Sequence, residues 1–313
     1  MAHDHTHRHD RHGHRHHHHV APQGATPGGV FVFSIVLNLL YVGVEAGIGL
    51  WQGSLSLLSD AGHNLSDVFS LLLVLAAFRL AAVRPDARHT YGYKKSTVLI
   101  SLLNALLLLG AVGAIVVEAV HDLRSPADID GAAVSWTAFV GILVNGATAL
   151  LLMRGQQRDL NVRGAFLHMV ADTLVSVGVV LSGLVILWTG WTLIDPIVSL
   201  VIAAVILVST WRLLADSLRL AVDGTPEGID LGEVEALLAA DPDVRGVHHV
   251  HVWAISTTES ALTAHVVVDD LSRMEAVKAR LKRALAGAGI GHATLELETP
   301  GADCCADGCG CSR

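Results

Sequence analysis

Two apolar segments of this chain each carry a histidine and an aspartate with the same spacing. His63 and Asp67 lie in one segment, and His168 and Asp172 lie in the other, each pair reading His-x-x-x-Asp. Residues four apart in a helix share a face and lie about 6 Å apart along its axis. Two such helices facing each other would aim two imidazoles and two carboxylates at one point. This donor set suits tetrahedral Zn²⁺ or a similar transition metal better than Mg²⁺ or Ca²⁺.

Ionisable side chains within apolar spans are costly, so each is a candidate functional group. A lone His or Asp can simply satisfy a polar neighbour, but the repeated spacing favours one shared site. Asp60 falls on the same helical face as His63 and Asp67, either as an extra ligand or entry carboxylate or as a polar residue near water. For Glu45, in the first apolar segment, a packing or proton-path role is favoured over ligation.

The elements that must position these residues are apolar stretches of about 20 residues, long enough to cross a bilayer. Six occur, at Val30–Leu50, Ser56–Phe78, Val98–Val120, Ala132–Met153, Ala165–Leu187 and Ile194–Ala215. With 52% apolar residues, the sequence predicts an α-helical membrane protein embedded in the lipid bilayer, with a six-helix bundle over residues 29–222. The net charge of −8, without a clustered basic surface, argues against nucleic acid as a partner.

Basic residues predict the orientation, because Lys and Arg accumulate in cytoplasmic loops. They concentrate in two connections between apolar segments: Arg79, Arg84, Arg88, Lys94 and Lys95 in the second, and Arg154, Arg158 and Arg163 in the fourth. Both termini are then cytoplasmic. The polar N-terminus shows no cleavable signal peptide, so we expect the first apolar segment to stay in a multi-pass protein of the bacterial inner or plasma membrane.

A small soluble domain is predicted over residues 223–300. Its pattern is a helix, two strands, a helix and a strand, at Leu231–Ala240, Val247–Ile255, Ala261–Val268, Arg273–Ala286 and Ala293–Leu297. This order suits a ferredoxin-like α+β layer. Acidic residues outnumber basic ones in this domain, which suits cation binding or simply a solvated surface.

Both tails carry metal-binding residue types. Ten histidines lie among the first 19 residues, in a tail over residues 1–28 that is expected to be disordered and to collect metal, an expression tag being the alternative. The tail over residues 301–313 holds all four cysteines, namely Cys304, Cys305, Cys309 and Cys311. They are too close together to staple a fold and indicate a thiolate cluster, in a reducing compartment, able to bind Zn²⁺ or Cu(I).

Several motifs, in order, resemble the cation diffusion facilitators. They are Ser59-Asp60-Ala61-Gly62-His63-Asn64-Leu65-Ser66-Asp67, Thr90-Tyr91-Gly92-Tyr93-Lys94-Lys95, His168-Met169-Val170-Ala171-Asp172 and Asp195-Pro196. The resemblance runs from about Val30 to Glu298. It implies a homodimer, a transport site built by the second and fifth spans, and exchange of Zn²⁺ for protons. Members with a histidine in the second-span pair resemble zinc-preferring transporters, whereas those with Asp there tend to accept cadmium as well.

Accessory sites of the family match this chain only in part. In the second connection, Asp86 and His89 occupy ligand positions, but Tyr93 stands where relatives have a second histidine. The interlock between a loop lysine and an aspartate after the sixth span would fall on Lys95 and Asp223.

The last domain has its own candidate metal ligands. His248 and His265 match ligand positions of the family's metal-binding strands, and His251 lies in the same strand as His248. Glu296 and Glu298 occupy positions where relatives use His and Asp. The resemblance implies a dimer-stabilising Zn²⁺ there, and ordinary exposed strand histidines are the alternative.

The sequence therefore predicts a metal efflux transporter that works by alternating access, and not an enzyme. Protons would compete with metal for the same donors, since imidazole titrates near neutral pH. The alternatives are an intramembrane metalloenzyme, which would keep an open metal position beside a base, as in His-Glu-x-x-His proteins, and a membrane metal sensor. The pattern does not rank Zn²⁺ against Cd²⁺, Co²⁺ or Mn²⁺ as the ion carried.

Overall fold

A computed structural model describes residues 27–52, 55–124, 131–191 and 193–301; the side chains of residues 27, 52, 55–60 and 131–137 lie outside it. The histidine-rich tail predicted over residues 1–28 falls almost wholly outside the described residues. The tail that carries Cys304, Cys305, Cys309 and Cys311 lies outside them as well.

Six long helices lie between residues 27 and 221. They are α1 Pro27–Gln52, α2 Leu55–Ala81, α3 Ser96–Arg124, α4 Gly131–Leu152, α5 Leu160–Thr189 and α6 Ile194–Ala221. All but α4 are longer than the apolar stretch that predicted them, because residues flanking the apolar core continue the helix; α4 has the predicted length, shifted by one residue. The start of α5 is capped by Asp159, whose Oδ1 accepts hydrogen bonds from the backbone N–H groups of Asn161 and Val162 at 2.7 and 3.3 Å.

Five of these helices are long and apolar enough to cross a membrane. They are α1, α2, α3, α5 and α6; the apolar described part of α4, Ala138–Leu152, is shorter. The sixth predicted span thus stays a prediction, although α4 packs along α5 within the bundle. Trp51 and Trp188, near the ends of α1 and α5, are each 87% exposed. Tryptophan at span ends is typical of the membrane–water interface.

The bundle packs as pairs, α1 with α2, α4 with α5, and α3 with α6, and α5 also contacts α2, α3 and α6. A tight apolar cluster closes the half of the bundle that lies towards the α2–α3 and α4–α5 connections. Its fully buried large side chains are Phe31, Leu71, Leu152 and Met169. The four helices meeting here are the two that carry the His-x-x-x-Asp pairs and their neighbours.

The C-terminal domain has the predicted α-β-β-α-β order. It consists of α7 Leu231–Ala239, β1 Val244–Ala254, β2 Ser260–Val268, α8 Met274–Gly287 and β3 His292–Glu298. The sheet order is β1-β2-β3, with β1 and β2 antiparallel and β2 and β3 parallel. Leu238 of α7 and Leu281 and Leu285 of α8 are buried against sheet residues such as Leu262 and Val266. The prediction of a small α+β domain is therefore confirmed.

This domain contacts the bundle at the end that carries the basic connections. The Lys95 Nζ lies 2.6 Å from Asp223 Oδ1 and donates to the backbone carbonyls of Leu220 and Ala254 at 2.8 and 3.1 Å. Asp223 adopts a left-handed backbone conformation with φ of 59° directly after α6, which an Asp tolerates better than most residues. One lysine therefore joins α3, the end of α6 and the end of β1.

The turn between β1 and β2 makes a second contact with the bundle. Thr257 donates its hydroxyl to Asp159 Oδ2 at 2.8 Å, and its backbone N–H to Thr97 Oγ1 at 3.1 Å. Asp159 and Thr97 are both buried and lie at the starts of α5 and α3. The sheet thus touches the helix that carries His168 and Asp172.

Candidate metal site between two membrane helices

Helices α2 and α5 bring the two predicted pairs together. His168 Nε2 lies 2.7 Å from Asp67 Oδ1 and 3.8 Å from Asp172 Oδ2, while His63 Nε2 lies 3.9 Å from Asp172 Oδ1. Each histidine is therefore close to a carboxylate of the other helix. We refer to His63, Asp67, His168 and Asp172, which the sequence predicts to bind the transported ion, as the transport ligands.

These donors lie close enough to share one ion. Single ligand atoms of His63, Asp67 and Asp172 all lie within 4.8 Å of one another. His168 lies beside them, with its Nε2 at 2.7 Å from Asp67 Oδ1 and 3.8 Å from Asp172 Oδ2. Two imidazoles and two carboxylates form a complete four-donor shell of the kind that Zn²⁺ accepts.

Two buried carboxylate oxygens make this position favourable for a cation. The side chain of Asp67 is 1% exposed, and both its Oδ2 and the Oδ2 of Asp172 are buried without a hydrogen-bond partner among the described residues. Buried carboxylate oxygens without a partner are strongly unfavourable. A divalent cation would satisfy both oxygens at once.

A cavity of about 530 Å³ leads to the transport ligands, all four of which line it. From there it reaches Glu118 near the end of α3 and Ala138 near the start of α4, away from the C-terminal domain. The side chain of His63 is 58% exposed as a result. The apolar cluster around Leu71 and Met169 closes the opposite side. The described cavity thus extends from the ligands towards the end of the bundle that lies away from the C-terminal domain.

The two accessory candidates differ in what the structure shows of them. Asp60 lies in α2, but its side chain is outside the described residues. Glu45 of α1 is 3% exposed, and its carboxylate accepts hydrogen bonds from Asn64 Nδ2 at 2.9 Å and from the Tyr41 hydroxyl at 3.2 Å. It is thus bound within the helix packing next to the cavity.

The loop between α2 and α3 holds Asp86 and His89 in a turn. Asp86 Oδ1 accepts hydrogen bonds from the backbone N–H groups of His89 and Arg88, each at 2.7 Å, and these bonds hold the pKa of Asp86 below its usual value. The ring of His89 lies against Tyr93 with centroids 4.4 Å apart. Asp86 therefore stabilises the turn, and Tyr93 fills the place of a third ligand with a stacked ring.

A second cluster of metal ligands lies on the sheet of the C-terminal domain. His248 Nε2 is 2.5 Å from Glu298 Oε1, and His265 Nδ1 is 3.5 Å from Glu298 Oε2. Ligand atoms of His248, His249 and His265 lie within 4.8 Å of one another. The strands β1, β2 and β3 each contribute to this cluster, through His248, His265 and Glu298 respectively.

His249 joins the cluster, whereas His251 lies outside it. The pairing of β1 with β2 is irregular between His248 and His251, and His249 has φ of 49°. This bulge brings two consecutive histidines into the cluster, and strict strand alternation would separate them. His251 is exposed and lines a different surface cavity, and the side chain of Glu296 is 69% exposed at 3.5 Å from His265 Nε2.

Fold and site together define a polytopic membrane protein with a metal-ligand set between two spans and a small α+β domain after them. A family model described as the cation efflux transmembrane domain matches residues 31–220, and one described as the cation efflux protein, cytoplasmic domain, matches residues 226–295. The chain belongs to the cation efflux family, also known as the cation diffusion facilitators. This family consists of transporters and not of enzymes.

Curated relatives match most of the chain. It is 34% identical to the cadmium, cobalt and zinc/H(+)-K(+) antiporter of Bacillus subtilis (strain 168), over 86% of this chain and 88% of the relative. It is 36% identical to the zinc transporter ZitB of Escherichia coli (strain K12), over 86% of each chain. It is 37% identical to the metal cation efflux system protein CzcD of Cupriavidus metallidurans, over 80% of each chain.

Among solved structures, the metal-bound C-terminal domain of the CzcD transporter is 38% identical to this chain. That match covers 22% of this chain and 99% of the other, with a TM-score of 0.21.

Proposed function

We propose that this protein exports divalent metal cations, Zn²⁺ foremost, from the cytoplasm in exchange for protons. The observation that carries the proposal is the meeting of the four transport ligands at one cavity, where two buried carboxylate oxygens have no hydrogen-bond partner among the described residues. Relatives named as zinc transporter and as cadmium, cobalt and zinc antiporter support the same substrate class.

Competition for the same donor atoms couples metal to protons. Imidazole nitrogens and carboxylates bind metal only when deprotonated. Zn²⁺ that reaches His63 and His168 from the cytoplasm therefore displaces any protons held there. Protons arriving through the cavity rebind to these groups and release the metal.

The cavity on one side of the ligands and the apolar cluster on the other support alternating access. The described conformation gives entry from the side away from the C-terminal domain, and the apolar cluster around Phe31, Leu71 and Met169 closes the other side. Loading from the C-terminal side requires α2 and α5 to separate at that cluster. Because the ligands are divided between these two helices, such a movement would change the geometry of the site.

The orientation is proposed from charge. The basic α2–α3 and α4–α5 connections lie at the end that contacts the C-terminal domain, through Lys95 and Asp159. Lysine and arginine favour the cytoplasmic side. We therefore place the C-terminal domain and both termini in the cytoplasm, and the open cavity on the outer side of a bacterial plasma membrane.

A resident Zn²⁺ and a homodimer are proposed for the C-terminal domain. His248, His249, His265 and Glu298 offer three imidazoles and a carboxylate, which fit a zinc site. When bound, the ion would join the three strands of the sheet through fixed bonds. The matching family model, ZT_dimer, supports pairing of two such domains.

The central test uses purified protein in proteoliposomes with a pH gradient. Asp172→Asn keeps the volume but removes the charge that offsets the ion, and His168→Ala removes a nitrogen donor, so both variants should lose zinc-driven proton movement. The double variant should be little worse than either single one, because both groups act on one ion. Asp86→Asn, in the loop, is the control that should transport normally.

Wild-type zinc transport and proton coupling in both single variants would refute this site. Zinc binding without movement of zinc in the wild-type protein would instead favour a membrane metal sensor. Turnover of a hydrolysable substrate at the same ligands would favour an intramembrane metalloenzyme.

A further inference from the structure

A polar group lies behind the wall of the transport cavity. Glu45 is buried in α1 and is not among the described residues that line the cavity. Both of its carboxylate oxygens accept hydrogen bonds from residues that do line it: Oε2 from Asn64 Nδ2 at 2.9 Å, and Oε1 from the Tyr41 hydroxyl at 3.2 Å. A carboxylate inside the bundle thus holds two residues of the cavity wall.

These hydrogen bonds determine how the Asn64 amide is turned. Asn64 Nδ2 is the donor to Glu45 Oε2, so the amide presents its NH₂ group to Glu45. The carbonyl oxygen of a planar amide points away from its nitrogen. Because Asn64 lines the cavity and its NH₂ group is bonded to Glu45, we expect Oδ1 to lie on the cavity side.

The position of Asn64 places this oxygen on the same wall as two transport ligands. Asn64 follows His63 directly and precedes Asp67 by three residues in α2, and residues three apart lie on one helical face. All three line the cavity. A neutral carbonyl oxygen on that wall can bind a cation directly or through one water molecule.

We propose that Glu45 is a positioning residue of the transport site, which turns Asn64 so that its carbonyl oxygen faces the cation beside His63 and Asp67. The proposal rests on the transport function given above. It adds a neutral oxygen beside the two imidazoles and two carboxylates of the transport ligands, and it gives α1 a part in cation binding.

A second buried amide in α1 provides a matched comparison. Asn38 Nδ2 donates to Thr148 Oγ1 at 3.2 Å and to the Ser34 carbonyl at 2.9 Å. Asn38 and Thr148 are buried, but neither is among the described residues that line the cavity. This pair joins α1 to α4 and does not contribute to the described wall of the cavity.

The test measures zinc uptake by the full-length protein in proteoliposomes at a fixed pH gradient. Glu45→Leu removes both acceptors and should raise the KM for Zn²⁺ about tenfold, as loss of a partner that orients a metal ligand commonly does. Turnover at saturating zinc should change much less. Asn64→Ala should give the same rise, and the double variant no further rise, because the two residues act as a unit. Thr148→Val should leave KM unchanged.

Glu45→Gln distinguishes positioning from a direct role of the charge. Glutamine keeps an acceptor oxygen for Asn64, so it should restore most of the affinity lost in Glu45→Leu. If Gln is as damaging as Leu, Glu45 acts as a ligand or proton carrier and the proposal is wrong. If Glu45→Leu does not insert, Asn64→Ala decides alone, since an unchanged KM overturns the proposal.

The transport function itself is judged by wild-type uptake and by Asp172→Asn. If the wild-type protein does not take up zinc, or if Asp172→Asn transports normally, the transport function is wrong. If only the Glu45 and Asn64 variants depart from expectation, only the positioning role is wrong.

Discussion

The transport ligands differ in how the protein holds them. Asp67 is fully buried and bonded to His168, whereas the imidazole of His63 is the most exposed of the four and lies 3.9 Å from its nearest carboxylate, that of Asp172. A donor residue whose side chain is exposed can be substituted with little disturbance to the helix packing. His63 is therefore the position at which selectivity should be easiest to change.

Replacing His63 with Asp tests this at the residue scale. A carboxylate is a harder donor than imidazole and adds a negative charge, so His63→Asp should widen acceptance towards Cd²⁺ or Mn²⁺ and keep part of the zinc transport. Competition between metals for uptake into proteoliposomes measures the profile. An ion profile identical to wild type would place selectivity elsewhere in the protein.

Arg280 and Asp241 provide a pH prediction in the C-terminal domain. Arg280 Nε and Nη2 donate to Asp241 at 2.7 and 2.8 Å, and these hydrogen bonds hold the pKa of Asp241 below its usual value. A lowered folded-state pKa stabilises the domain above the unfolded value of about 3.9, and that contribution is lost as pH falls through the folded pKa.

Arg280→Gln should therefore lower the thermal midpoint of the domain at neutral pH, with the difference from wild type shrinking below about pH 4. Lys278→Gln, which removes the same charge from α8 at an exposed pair with Glu275, is the control and should change the midpoint less. Thermal scans of the full-length protein at several pH values measure both. A deficit for Arg280→Gln that is constant down to pH 3 would contradict the assignment.

At the scale of elements, helix α5 connects the two parts of the molecule. Its first turn is capped by Asp159, which also accepts the hydroxyl of Thr257 from the β1–β2 turn, and its middle carries His168 and Asp172. A contact with the sheet and half of the candidate metal site thus lie on the same helix. A change at the cap should reach the site through the rigid backbone of α5.

Asp159→Ala should destabilise the start of α5 by about 1 kcal/mol, the usual cost of losing a cap, and should also lower zinc transport. Asp230→Ala is the matched control, because Asp230 caps α7 by accepting from the Glu233 N–H at 3.0 Å and lies in the C-terminal domain. It should cost similar stability and leave transport unchanged. Equal transport losses in the two variants would mean that the α5 cap has no special connection to the site.

At the scale of the whole molecule, Lys95 joins the bundle to the C-terminal domain. Its ammonium group contacts the Asp223 carboxylate and two backbone carbonyls, at the ends of α6 and β1. Three acceptors belonging to two domains converge on one charge. The lysine thus does more than form an exposed ion pair with Asp223.

Lys95→Met should therefore loosen the two domains more than Asp223→Asn does, and exchanging the two charges should not restore the contact. The carbonyls of Leu220 and Ala254 would still lack a donor in the exchanged variant. Limited proteolysis after α6 and hydrogen exchange in the β1–β2 turn report domain separation. Full rescue by the charge exchange would show that the ion pair alone matters.

Several features of this protein follow from its sequence alone. The spacing of His63 with Asp67 and of His168 with Asp172 predicted the candidate ligands that α2 and α5 bring together, because a helix has a fixed period and an ionisable group inside an apolar span is costly. The alternation of apolar residues predicted the order of α7, β1, β2, α8 and β3. The period of apolar and polar residues along a helix or a strand can be read from the sequence, because it does not depend on contacts between distant parts of the chain.

Other features were decided by tertiary structure. The inclusion of His249 in the histidine cluster, and the position of His251 outside it, depend on a bulge with a left-handed backbone, which strand alternation does not predict. The hydrogen bonds of Glu45 to Asn64, and the direction in which the cavity opens, depend on how separate helices pack. A linear pattern shows which face of a helix is polar, but only packing determines which neighbour meets that face.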